Sequence, residues 1–80
     1  MQTIKDLLNK IKWNNREKEE DYSIVYLDRV ENKKKEIRYI NIKSIDGNFM
    51  IFQHGLYDVH VPLHRIREVK KNNKVVWKRL

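Results

Sequence analysis

Ile37-Arg38-Tyr39-Ile40-Asn41-Ile42-Lys43-Ser44-Ile45-Asp46-Gly47-Asn48-Phe49-Met50-Ile51-Phe52-Gln53 is the stretch on which the fold turns. Branched and aromatic residues dominate both arms, and the Asp46-Gly47 dipeptide between them suits the φ > 0 turn of a two-residue hairpin. Ile37 to Ile45 and Asn48 to Gln53 are then paired strands whose register the loop fixes. In that register Ile40, Ile42, Phe49 and Ile51 share one face, and Ile45, Met50 and Phe52 share the other. The first face is richer in branched apolar side chains and is expected to pack against a helix. Met50 and Phe52 are left to be covered by a second sheet layer or to stack bases.

Upstream, Thr3 caps a predicted helix carrying Ile4, Leu7, Leu8 and Ile11, whose spacing lays one apolar stripe along a single face. Asn14 to Asp21 is a polar connection with room for another helical turn from Arg16 to Asp21. Tyr22 to Val30 alternates as a central strand, with Tyr22, Ile24 and Tyr26 on one face and Val25 and Leu27 on the other. Glu31 to Glu36 reads as a charged loop in which Lys33-Lys34-Lys35 is solvated. Downstream, Gly55 breaks the chain and Leu56 to Leu63 resumes strand character. Arg65 to Arg79 forms a last hairpin turning at Asn72-Asn73, since asparagine tolerates left-handed backbone. The expected fold class is α+β: an N-terminal helix packed on an antiparallel sheet of about five strands, open to curling into a partly closed small barrel.

With 80 residues, of which 40% are apolar, the chain supports one domain, residues 1–80, and one small core. It contains no cysteine, which excludes a disulfide framework and a thiol or Cys-based zinc site. No apolar run approaches membrane-spanning length, and Met1 to Trp13 lacks a signal peptide's apolar stretch, so cytoplasm is the expected location. The net charge of +7 is lopsided: the 17 residues from His64 to Leu80 carry +6 and the preceding 63 only +1. Such a concentration fits a polyanion, with counterion release favouring association, and it fits a lysine-rich solubilising face equally well.

Chemistry concentrates in Val61-Pro62-Leu63-His64-Arg65-Ile66, at the threshold of that basic segment. Arg65 can fork two N–H bonds onto a phosphate, and His64 can add a donor that switches charge near neutral pH. Alternatively, Pro62 starts an edge strand with both side chains in solvent. On a regular strand the two would point to opposite faces, so a shared anion requires a bulge or turn after Pro62. Catalytic constellations are thin. His54, His60 and His64 fall within eleven residues, but Pro62 argues against the helix that would converge His60 and His64 on a metal. No metal site and no cofactor is expected, and no phosphate loop, nucleophile turn or dinucleotide fingerprint is present. His60 and His64 could still be proposed as the two acid–base groups of a metal-independent RNA phosphoesterase.

Trp13, Tyr26-Leu27-Asp28-Arg29, Val61-Pro62-Leu63-His64-Arg65-Ile66 and Val75-Val76-Trp77-Lys78-Arg79 together resemble a small, mostly archaeal family, the RNA cyclic group end recognition domain, over essentially the full length. The resemblance implies binding of RNA ends that carry a 2′,3′-cyclic phosphate, in some cases as a module fused beside RNA-processing domains, which makes RNA-processing enzymes candidate partners. The thin catalytic constellations favour binding of such 3′ ends without catalysis. The chain departs from the family pattern where Val30 follows Arg29 and where Asn73-Lys74 stands in the last turn, both places where glycine is usual. On this reading His64, Arg65 and Arg29 meet the terminal phosphate, and Lys70, Lys71, Lys74 and Lys78 follow upstream phosphates. Trp77, Trp13 or Tyr26 stacks the terminal base or ribose, and Asp28 orients Arg29 or simply pairs with it. Both tryptophans have a second reading, as core-edge residues with mostly buried rings. A basic adaptor that docks an acidic protein is the remaining alternative.

Overall fold

Thr3 accepts a hydrogen bond from the Asp6 backbone N–H at 3.1 Å and so caps helix α1, Ile4–Trp13. The computed structural model describes residues 3–79. Ile4, Leu7, Leu8 and Ile11 are all buried, as their spacing requires. A short 3-10 turn, Glu19–Asp21, follows, and then seven strands: β1 Tyr22–Asp28, β2 Lys33–Arg38, β3 Ile42–Asp46, β4 Phe49–His54, β5 Tyr57–Pro62, β6 Ile66–Lys71 and β7 Lys74–Lys78. They form two antiparallel sheets, a four-stranded one in the order β2-β1-β6-β7 and a three-stranded one in the order β3-β4-β5. The α+β class stands, and β1 is central. Among the described residues the expected single sheet of about five strands is replaced by two sheets with seven, and no barrel closes.

Two corners divide the strands. The chain leaves β2 through a 3-10 turn, Tyr39–Asn41, to enter the other sheet at β3, and it returns from β5 to β6 through a second, Leu63–Arg65. Each corner is pinned by its first residue, Tyr39 and Leu63 both being 5% exposed. The Tyr39 hydroxyl donates to the Leu8 carbonyl at 2.9 Å, and the Leu63 N–H donates to the Asn48 carbonyl at 2.8 Å. The expected continuous strand from Ile37 to Ile45 is therefore broken in the middle. Lys33-Lys34-Lys35 is strand, not loop: β2 is an edge strand, and its outward positions can hold solvated lysines without cost to the ladder.

The β3–β4 hairpin pairs Asp46 with Phe49, so its two-residue loop is Gly47-Asn48, one step later than expected. Gly47 takes φ +58°, which suits a turn with glycine at its first loop position. Moving a two-residue loop by one position shifts the pairing by two, so Ile45, Met50 and Phe52 still share a face, and it is this face, not the one expected, that enters the core. Met50 and Phe52 lie in the core with Ile45 and Ile42 packed against it, whereas Phe49 and Ile40 are 44% and 46% exposed. The last hairpin turns at Asn72-Asn73 as expected, with φ +51° and +67°, so both asparagines supply left-handed backbone.

One core joins the elements: Leu8 and Ile11 of α1, Ile24 of β1, Met50 of β4, Ile66 and Val69 of β6 are all fully buried. Tyr26 and Phe52 meet across the two sheets with ring centroids 5.8 Å apart. The helix stripe thus packs into a core lined by both sheets, not onto one sheet. No helix among the described residues is long and apolar enough to cross a membrane.

Buried tyrosines couple stability to alkaline pH. Burial, with the hydrogen bond to Glu17 Oε2 at 2.6 Å, pushes the Tyr22 phenol up to about 12, and burial pushes Tyr39 up to about 12. A phenol raised in the fold favours folding below its ordinary value of 10.0 and loses that contribution as pH climbs to about 12. Denaturation midpoints should be flat from neutrality to about pH 10 and fall beyond it, and Tyr22→Phe should reduce the steepness of that fall. On the acid side, hydrogen bonds from Tyr22 to Glu17 and from Lys35 to Asp28 hold both carboxyls below their ordinary values of 4.5 and 3.8. Their contribution is present above those values and is lost as pH falls through the lowered ones.

Candidate functional site

The turn after Pro62 decides what Arg65 can reach. Pro62 ends β5 with extended backbone, and the Leu63–Arg65 turn then redirects the chain by a corner. Arg65 emerges half-buried beside the end of β1. There Tyr26, Leu27, Asp28, Arg29 and Val30 face Val59, His60 and Val61 of β5, and together with Arg65 they line a cleft of about 230 Å³. Four residues expected at the site, Arg29, Arg65, Tyr26 and Asp28, are therefore brought together from distant parts of the chain. His60 joins them. His64 is exposed on the same turn and does not line the cleft.

Asp28 does not pair with Arg29. One carboxylate oxygen accepts the Val30 and Glu31 backbone N–H groups at 2.9 and 3.3 Å, which closes the turn after β1, and the other accepts Lys35 Nζ at 2.8 Å. The hydrogen bond from Lys35, with those from the backbone N–H groups of Glu31 and Val30, holds the Asp28 carboxyl below its ordinary value. Among the described residues neither Arg29 nor Arg65 takes part in an ion pair. The cleft therefore presents guanidinium charge that the fold leaves uncompensated, beside a carboxylate already committed to lysine and backbone. Burial pushes the Tyr26 phenol up, so it stays neutral as part of the wall.

Arg79 is a residue whose part the sequence reading missed. Its Nε donates to the Ile66 carbonyl at 2.9 Å and its second guanidinium nitrogen to the Leu63 carbonyl at 3.1 Å, bracketing the turn that carries Arg65. The guanidinium lies 5.2 Å from the Trp77 ring centroid. Residues i and i+2 of a strand share a face, so the Trp77-Lys78-Arg79 order carried a signal for this stack. Trp77 is a half-buried core-edge residue. Trp13 is not, because it is 76% exposed at the end of α1 with Lys12 over its ring.

The C-terminal lysines are less available than their number implies. Lys70 pairs with Glu36 at 3.0 Å and Lys71 with Glu17 at 3.1 Å, while Lys74 and Lys78 are exposed with no ion pair among the described residues. None of the four lines the arginine cleft. No cluster of three or more His, Cys, Asp or Glu side chains suited to a metal ion occurs among the described residues.

Fold and cleft together define a small basic α+β domain with an arginine-lined seam between two antiparallel sheets. The chain belongs to the family described as the MJ1316 RNA cyclic group end recognition domain, whose model matches residues 1–79. A UPF0248 protein of Saccharolobus islandicus strain L.S.2.15 is 39% identical, with 95% of this chain and 98% of the relative covered. One from Thermococcus sibiricus is 42% identical, over 95% of this chain and 84% of the relative. One from Saccharolobus solfataricus is 35% identical, over 95% of each. No solved structure matches.

Proposed function

We propose that this domain binds RNA 3′ ends, holding a terminal 2′,3′-cyclic phosphate between Arg65 and Arg29 without catalysing a reaction. The observation that carries this reading is the pair of guanidinium groups without ion-pair partners that share one small cleft. A cyclic phosphate is compact, bears one negative charge and lacks a free 2′-OH. It is suited by a few directional donors more than by a lysine cluster, and charge-assisted N–H bonds from arginine are directional. The family's description names RNA cyclic group ends, which agrees with that chemistry.

The remaining roles follow from position. Asp28 shapes the turn that presents Arg29, Tyr26 walls the cleft, and Arg79, stacked on Trp77, holds the corner that presents Arg65. His64, exposed on that corner, is placed for a neighbouring phosphate, and Lys74 and Lys78 supply general affinity. Lys70 and Lys71, already paired, contribute less, and the exposed Trp13 is a stacking surface away from the cleft lining. The cleft contains one histidine, His60, where acid–base cleavage by the proposed pair would need His64 in it as well.

Matched oligonucleotides test the reading at one salt concentration. RNA ending in a 2′,3′-cyclic phosphate should bind at least about tenfold tighter than the same RNA ending in a 3′-hydroxyl, about 1.4 kcal/mol. Equal affinities would discard end recognition. With Arg29, Arg65, Lys74 and Lys78 each on a phosphate, log affinity should fall against log salt with a slope of about −3. Recovery of ring-opened RNA after incubation would instead establish the phosphoesterase reading.

A further inference from the structure

A second cleft, of about 510 Å³, shares Tyr26 with the first and is lined by Lys35, Ile37, Asn41, Phe52 and His54 among others. The two clefts abut. Tyr26 lines both, Phe52 of the second is the direct cross-strand partner of Val59 in the first, and Lys35 of the second is bonded to Asp28 of the first. They are two compartments of one seam between the sheets.

Their chemistry differs. The cation lining the second cleft, half-buried Lys35, is already held by Asp28 at 2.8 Å and Glu31 at 3.4 Å. Glu36, which also lines it, is itself paired with Lys70, so this compartment offers no uncommitted cation for a second phosphate. Buried Tyr26 and Phe52 form its floor with half-buried Ile37, and exposed Asn41, Gln53 and His54 stand at its margin, so the lining is more polar than apolar. An aromatic floor under a polar rim, with the Asn41 and Gln53 amides both donating and accepting, suits a flat, uncharged, hydrogen-bonding ligand. In a nucleotide that ligand is one ribose away from the 2′,3′ position.

We infer that the second cleft receives the base of the terminal nucleotide, so that the domain grips the end of an RNA at two points: base beside Tyr26 and Phe52, cyclic phosphate beside Arg29 and Arg65. Asn41 and His54 contact the base edge. This rests on the end-binding reading proposed above, and it adds that the end nucleotide is held by more than its phosphate.

The test uses the full chain and two RNAs that share a 2′,3′-cyclic terminus, one with a normal last nucleotide and one whose last ribose lacks a base. A third RNA, normal but ending in a 3′-hydroxyl, reports on phosphate recognition alone. The base-bearing RNA should bind about tenfold tighter than the abasic one, the scale of one stacked base. Asn41→Ala and His54→Ala should each reduce that ratio while leaving affinity for the abasic RNA unchanged. Both positions are exposed, and melting curves will show that the variants fold. Equal binding of base-bearing and abasic RNA overturns the inference, as does an equal loss for both RNAs in the variants. In either case a persisting preference for cyclic over hydroxyl ends shows that phosphate recognition survives. Loss of that preference in the unaltered protein removes both readings.

Discussion

Arg65→Ala is expected to weaken binding of cyclic-ended RNA by roughly 10- to 150-fold while leaving the fold intact. The guanidinium has no ion-pair partner among the described residues, so its removal breaks no internal electrostatic contact. What it removes is a charge-assisted bond to the ligand, typically about 1.5–3 kcal/mol, with a surface substitution's small effect on stability. Arg65→Lys should recover only part of the loss, because an ammonium keeps the charge and gives up the fork. The decisive comparison is with RNA ending in a 3′-hydroxyl. Arg65→Ala and Arg29→Ala should erase the preference between ends, whereas Lys78→Ala should weaken both RNAs alike. If Arg65→Ala binds both ends as the unaltered protein does, the cleft is not the phosphate site.

Leu8→Ala should produce the largest loss of stability, about 2–5 kcal/mol in chemical denaturation. Leu8 is 0% exposed and belongs to the cluster that unites α1 with both sheets, so the vacancy lies where no single sheet can collapse to fill it. A domain of this size commonly has a total stability of about 5–10 kcal/mol, so such a loss approaches the unfolding threshold. Trp13→Ala is the control from the same helix, and its 76% exposure predicts a change near zero. A Leu8→Ala midpoint within experimental error of the parent would mean that the helix is peripheral to the core.

What sequence could reveal depended on whether the deciding interaction was local. Helix α1 was legible because Ile4, Leu7, Leu8 and Ile11 encode a face by spacing alone, and the Asn72-Asn73 turn because two asparagines announce left-handed backbone. The corners were not. Tyr39-Ile40-Asn41 has the composition of a strand and becomes a 3-10 turn because β2 and β3 belong to different sheets, a tertiary demand with no local mark. The slip from Asp46-Gly47 to Gly47-Asn48 left Ile45, Met50 and Phe52 on one face as expected, and which face of β4 meets the core was settled by how the sheets stack, with Met50 and Phe52 inward.

The cleft divides in the same way. Tyr26, Asp28 and Arg29 are contiguous, and the requirement for a turn after Pro62 could be stated from strand geometry. That the turn delivers Arg65 to their cleft, with His60 and without His64, depends on how the sheets are stacked. Arg79's grip on the Leu63 and Ile66 carbonyls likewise joins strands that sequence could not place side by side.

Both outer strands of the larger sheet, β2 and β7, carry lysines: Lys33, Lys34 and Lys35 on one, Lys74 and Lys78 on the other. An unpaired strand is a template on which another chain can add itself, and ammonium groups along it repel that neighbour. Lys33 and Lys35 are partly neutralised by Glu31 and Asp28, so Lys34, Lys74 and Lys78, without an ion pair among the described residues, are the charges expected to keep copies of this protein apart. Chemical neutralisation of those amines would invite edge-to-edge assembly even with the arginine seam untouched.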